Sequence, residues 1–419
     1  MVIYPAIEGR PRPDAVFKSP GKREEGAQYA ASPQQRQLPR RRTAGVGARS
    51  ATLLQSTEAK ILRKENLAPW VRSLIQDYEV IGPVQKGPRP EPFHGSQDGL
   101  VEGEEVVFRP VGSVKELALN YITTMLSPKG FLYPPREVLF TFRKGEGFTE
   151  VEPKLSGSTE LAEVRKRIIF GVHPCDLNAI LILDRVFLGS YEDAYYRARR
   201  ENTLLVALTC NRVGENCFCA SMGFGPSLEA GYDLLLTDLN DRYLVEIGSV
   251  SGQEMLKKAP LEEASPQDRE TKERKLKALE EEMPKRVDTQ GLPRILRRNL
   301  RHAVWARYKD ICLACANCTM ACPTCYCYDM IDRMELDLEK GVRERAWDSC
   351  FNPEFAQVHG GNFRAGRDSR LRQFVCHKMS YWMEQYGRFG CVGCGRCITW
   401  CPVGIDITEI VGEIRSDAG

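Results

Sequence analysis

Eight of the sixteen cysteines in this 419-residue chain fall into two copies of one spacing. Cys312, Cys315, Cys318 and Cys322-Pro323 return as Cys391, Cys394, Cys397 and Cys401-Pro402. Closely spaced thiolates of this kind suit a [4Fe–4S] cubane, whose irons need sulfur donors at the corners of a tetrahedron. Two residues between successive cysteines let the backbone curl around the core and turn its N–H groups toward the sulfurs. The intervening residues are mostly small or flexible: Leu313-Ala314, Ala316-Asn317, Val392-Gly393 and Gly395-Arg396. The proline after each fourth cysteine lacks an N–H and resists carrying a helix back through the site.

Where two such runs share a chain, as in bacterial two-cluster ferredoxins, the fourth cysteine of each serves the other cluster. The expected ligand sets are Cys312, Cys315, Cys318 and Cys401 for cluster 1, and Cys391, Cys394, Cys397 and Cys322 for cluster 2. A four-cysteine zinc site would instead use two C-x2-C knuckles with a gap between them. Disulfides would need an oxidising compartment, and nothing in the chain suggests one.

Eight cysteines remain. Cys175 follows one predicted strand and Cys210 ends the next, so neighbouring parallel strands would bring them together. Cys217-Phe218-Cys219 lies in a polar, Gly-bearing loop. These four suggest a third cluster, against the plainer alternative of unpaired buried thiols. His173 is a rival ligand, although a lone histidine is more often structural. Cys325, Cys327, Cys350 and Cys376 stay open between a further metal centre, a redox-active thiol pair, and packing around the clusters.

The net charge of +3 misleads. Residues 1–50 hold ten Lys/Arg against four acids, so the remainder carries about −3, which argues against nucleic-acid binding. No run of eighteen apolar residues appears, so no membrane span is expected. The N-terminus shows no apolar signal region, and the expected location is cytoplasmic and reducing.

The elements that must position the thiols give an α+β chain. Residues 1–55, rich in Pro, Arg, Gln and Gly, read as a disordered basic tail, or as an extension from a start codon placed too early. Residues 56–255 read as a mixed α/β domain. A helix begins near Ser56 and ends near Tyr78, and a second covers Val114–Leu126. Strands follow at Ile168–Val172, Leu204–Thr209, Leu234–Thr237 and Tyr243–Ile247, with helices between the first two and a turn at Asn240-Asp241. Residues 256–310 read as a helical connector: a charged bridging helix from Ser265-Pro266 to Pro284, then a helix burying Leu292, Leu296, Leu300, Val304 and Tyr308. Residues 311–419 form the dicluster ferredoxin-like domain. Its two runs are 68 residues apart, an insertion expected to wrap the clusters or build a contact surface.

In these motifs the chain resembles the iron–sulfur β subunit of cytoplasmic NAD(P)-linked nickel–iron hydrogenases (sulfhydrogenases). It is also similar to the corresponding iron–sulfur subunit of anaerobic sulfite reductase. The stretches that carry the resemblance include Lys64–Leu67 through Tyr78–Pro83, Ser127–Glu137, Gly171–Leu177 and Cys217–Gly223. They continue with Cys322–Cys327, Trp347–Cys350 and Gly390–Cys397, so that residues 56–415 are covered. The resemblance implies a wire between a flavin- and NAD(P)-binding reductase subunit and either hydrogenase subunits or a sirohaem sulfite reductase subunit. The ordered length favours the hydrogenase setting.

Three function classes follow. A non-catalytic electron-transfer subunit explains the eight motif ligands, since clusters saturated by thiolates leave no position for substrate. An enzyme would work at an additional cluster or thiol pair near Cys325, Cys327 and Cys350. A sensor or scaffold would use the clusters structurally. No Gly-rich dinucleotide fingerprint stands in a strand–turn–helix context, so the chain is not expected to bind NAD(P) itself.

Overall fold

The continuous apolar runs Arg167–Val172 (β6), Thr203–Leu208 (β7) and Leu234–Asp238 (β8) are buried on both faces and pair in parallel, as such runs do at the centre of a covered sheet. The computed structural model describes residues 59–86, 105–144, 149–153, 166–336 and 338–418. The expected basic tail lies outside these residues. Earlier strands are Ala59–Arg63 (β1), Glu79–Lys86 (β2), Glu105–Pro110 (β3), Arg136–Lys144 (β4) and Thr149–Pro153 (β5). Later ones are Arg242–Ile247 (β9), Glu262–Glu263 (β10), Tyr328–Met334 (β11) and Lys340–Trp347 (β12).

An eight-stranded sheet runs in the order β10-β1-β9-β8-β7-β6-β2-β3. Its centre, β2-β6-β7-β8, is parallel, and antiparallel strands close both edges. Alternation along the strands divides the core. Ile168, Phe170, Val206 and Leu208 face Trp70, Val71 and Leu74 of the helix Lys64–Asp77. Ile169, Val172, Leu205 and Ala207 face Leu177, Ile180 and Leu183 of the helix Pro174–Phe187.

The insertion contributes β11 and β12 to a four-stranded sheet, β11-β12-β4-β5, so chain from both halves of the sequence builds one layer. Arg345 sits opposite Glu137 in that sheet. The Glu137 carboxylate is fully buried and pairs with Arg199 at 2.6 Å and with Arg345, which also pairs with Asp193.

Four local expectations change. Ala59–Arg63 is a strand, because β9 offers its edge to this segment in antiparallel register. The predicted helix Val114–Leu126 shrinks to one 3-10 turn, Val114–Glu116. Tertiary contacts override its helical periodicity: Ala118 N–H donates to the Pro83 carbonyl, and the Tyr121 hydroxyl to that of Gly171, both at 2.8 Å.

The helix Pro266–Glu282 begins at a Ser265/Asp268 capping box, as its sequence suggests. It is not a free bridge, however. Lys272 pairs with Glu246 of β9, and Lys275 donates to the Asp238 carbonyl at 2.7 Å. The next helix is broken at 299–302 into Leu292–Arg298 and Ala303–Ile311. Trp305 takes the buried position expected of Leu300, donating its Nε1–H to the Asn299 carbonyl at 3.0 Å. The last helix, Ile407–Asp417, buries Ile407, Ile410, Val411 and Ile414 as its spacing predicts.

Candidate metal centres

Both cysteine runs make the same backbone curl. In the first, Ala314 and Ala316 have φ of +53° and +64°; in the second, Gly393 and Gly395 occupy the same places at +68° and +75°. This left-handed region strains a side chain with a Cβ, so two alanines held there mark a conformation enforced by the site. The curl aims N–H groups at sulfur: Ala314 to Cys312 and Gly393 to Cys391, both at 3.4 Å, and Ile405 to Cys401 at 3.3 Å.

Cys312, Cys315, Cys318 and Cys401 line one cleft, walled by Phe351, Leu371 and Phe374, which Cys397 of the second run also borders. Burial raises the Cys318 thiol pKa, and the nearby Cys350, Cys401, Cys315 and Cys312 sulfurs raise it further. Cys315 is the exposed member of this set. Cys391, Cys394 and Cys397 face Cys322 from the other run. Burial pushes the Cys391 thiol up to about 12 and Cys394 to about 11. The folded chain therefore brings together the eight thiols of the motif in two groups, each with its fourth member taken from the opposite run.

The four N-terminal thiols also converge. Cys175 stands in the first turn after β6 and Cys210 just after β7, at the carboxyl ends of neighbouring parallel strands where α/β sheets bind ligands. Cys210 faces Cys219 and Cys217, and Cys175 faces Cys210 and Cys394. Burial is the main cause of the raised pKa in both Cys175 and Cys210. His173 is not turned to them. Its Nδ1 meets the Ile122 carbonyl at 3.1 Å, its ring stacks on Tyr121 at 3.9 Å, and burial lowers its pKa to about 3. Cys376 is buried among apolar side chains and acts as packing.

This loop lies directly on the second ferredoxin run. Phe218 N–H donates to the Gly393 carbonyl at 2.9 Å. A Cβ on Gly393 would stand 2.6 Å from the Cys219 backbone, and one on Gly395 would stand 2.3 Å from the Asn216 carbonyl oxygen. That close approach explains why the second run has glycines where the first tolerates alanines.

The thiol groups fit iron–sulfur cores better than single ions. A tetrahedral Zn²⁺ with bonds of about 2.3 Å would hold its sulfurs roughly 3.8 Å apart. Among the described residues, no three cysteine sulfurs lie mutually within 4.8 Å.

Sequence reasoning missed the charged residues around these thiols. Arg396 hid as a spacer inside the second run, Lys378 precedes that run without sharing its spacing, and Lys129 and Asp176 lie far from it in sequence. The one available signal was a charge at Arg396, where the first run has Asn317.

The fold and these thiols define an iron–sulfur protein, and residues 311–405 match the family described as a 4Fe-4S dicluster domain, which carries two [4Fe–4S] clusters. The chain is 37% identical over 316 residues to sulfhydrogenase 2 subunit beta of Pyrococcus furiosus, a match covering 74% of this chain and 88% of the relative. It belongs to the sulfhydrogenase β-subunit family. No solved structure matches it.

Proposed function

We propose that this chain is the electron-transfer subunit of a cytoplasmic sulfhydrogenase complex. It carries single electrons between a flavin subunit that handles NAD(P)H and a nickel–iron hydrogenase subunit. Cluster 1 is held by Cys312, Cys315, Cys318 and Cys401, cluster 2 by Cys391, Cys394, Cys397 and Cys322, and a third by Cys175, Cys210, Cys217 and Cys219. Each cluster, when bound, takes up or gives up one electron.

The observation that supports this reading is the contact between the Asn216–Cys219 loop and the second run, where the loop backbone meets Gly393 and Gly395. From there the thiol groups lead to Cys315 at the surface. Four thiolates per cluster leave no coordination position for substrate, which supports a relay over an enzyme. The relative's name favours the hydrogenase setting over the sulfite reductase one. No described helix is long and apolar enough to cross a membrane.

The Cys217→Ser/Cys219→Ser variant, purified without oxygen, tests the relay. It should lose roughly four irons per chain and one EPR signal while the dicluster signals persist. Unchanged iron and spectra would remove the N-terminal end of the wire.

A further inference from the structure

Two buried ammonium groups stand beside the second ferredoxin set, and among the described residues no carboxylate pairs with either. Lys129 and Lys378 are each 3% exposed. Lys129 Nζ donates to the Cys322 and Cys325 carbonyls at 2.7 and 2.8 Å and lies 4.3 Å from the centre of the Trp347 ring. Lys378 Nζ donates to Thr324 Oγ1 at 2.7 Å. Carbonyls and a hydroxyl solvate a cation but do not neutralise it, and a buried charge left without a counter-charge is strongly unfavourable.

What surrounds these two lysines is sulfur. Cys322 of the second ferredoxin set lies near both, its sulfur hydrogen-bonded to Cys325; Cys325, Cys327 and Cys350 all lie near Lys378, and Cys325 and Cys327 lie near Lys129 as well. Cys327 and Cys350 face each other, and the Cys350 N–H points at the Cys327 sulfur. None of the three is needed by the ferredoxin sets. Their arrangement repeats the N-terminal one: Cys325-Tyr326-Cys327 matches Cys217-Phe218-Cys219 as a close pair completed by cysteine from a distant segment.

We propose that Cys325, Cys327 and Cys350 hold an additional iron–sulfur cluster through three thiolates, seated against Lys129 and Lys378. The class is a [3Fe–4S] core, or a [4Fe–4S] core with one iron lacking a cysteine. Cys322 offers these two cations one counter-charge, and three further thiolates with a sulfide-bearing core supply the rest. A single ion does not suit the site, since no three cysteine sulfurs lie mutually within 4.8 Å among the described residues. This centre is independent of the N-terminal set.

The test is iron content and EPR of the full chain, purified without oxygen, in wild type and in Cys327→Ser and Cys350→Ser. Each variant should lose roughly three to four irons, with a spectral component different from that lost in Cys217→Ser/Cys219→Ser. Wild-type iron in both variants would overturn the proposal and leave the lysines as counter-charges for cluster 2. A second measurement needs no variant. Mild oxidation of the wild-type chain should give a [3Fe–4S] signal that added ferrous iron reverses, because an iron without a thiolate leaves and returns readily. Absence of any such signal would equally overturn the proposal.

Discussion

Arg396 and Asp176 form an ion pair at 2.8 Å that water does not reach, with side chains 0% and 1% exposed. Arg396 comes from the second ferredoxin run and Asp176 from the helix that follows β6, so the pair joins the two thiol groups. The guanidinium also donates to the Thr124 carbonyl at 2.6 Å and to its hydroxyl at 3.1 Å. One N–H-bearing nitrogen, Nη1, and one carboxylate oxygen, Oδ1, have no hydrogen-bond partner. Asp176 raises the pKa of Arg396 against the cost of burial, and the nearby Cys394 and Cys175 sulfurs add to this.

Breaking this pair has two separable effects. Arg396→Gln leaves a buried carboxylate alone, and Asp176→Asn a buried guanidinium, so each should cost about 3–5 kcal/mol in denaturant unfolding. The potentials should move in opposite directions. Loss of the positive charge disfavours the added electron, lowering the potential of the cluster proposed at Cys394, and loss of the negative charge raises it. EPR-monitored redox titration checks both signs; shifts in the same direction would show that the pair acts by packing alone.

The glycines of the second run should be intolerant where the first run's alanines are not. Gly393→Ala faces backbone strain of about 1–2 kcal/mol and a collision with the Cys219 backbone. Its expected outcome is reduced iron content together with loosening of the Asn216–Cys219 loop in hydrogen exchange. Ala314→Gly should relieve strain and retain full iron.

Glu137 ties the insertion to the N-terminal sheet. Glu137→Gln strips the carboxylate partner from Arg199, nearly buried, and leaves Arg345 with Asp193 alone; it should cost about 3–5 kcal/mol. Hydrogen exchange should show β11 and β12 opening before the eight-stranded sheet.

A smaller effect is expected at the connector. Ser265→Ala removes the acceptor for the Asp268 N–H at the start of the helix Pro266–Glu282 and should cost about 1 kcal/mol in thermal or denaturant unfolding.

Features held in local spacing were legible in the sequence. The two cysteine runs, the four apolar strands from β6 to β9, the Ser265-Pro266 helix start and the Ile407–Ile414 face all depend on neighbours within a few residues. Features made by distant chain were not. Ala59–Arg63 becomes a strand only because β9 lies beside it, and Val114–Leu126 gives up its helix to contacts with Pro83 and Gly171. The partners of Arg396 and Lys378 are cysteines, carbonyls and a carboxylate brought in by folding, so their roles leave no mark on spacing.

The proposed relay requires that this chain conduct electrons without itself turning over substrate. Its most direct test is dye-coupled assay of the chain purified without oxygen, alone and recombined with the other subunits of its complex, supplied with H2 or NAD(P)H. The expected result is reducible iron–sulfur signals but no turnover by the isolated chain, and dye reduction once the partners are present. Turnover of H2, NAD(P)H or sulfite by the isolated chain would contradict it.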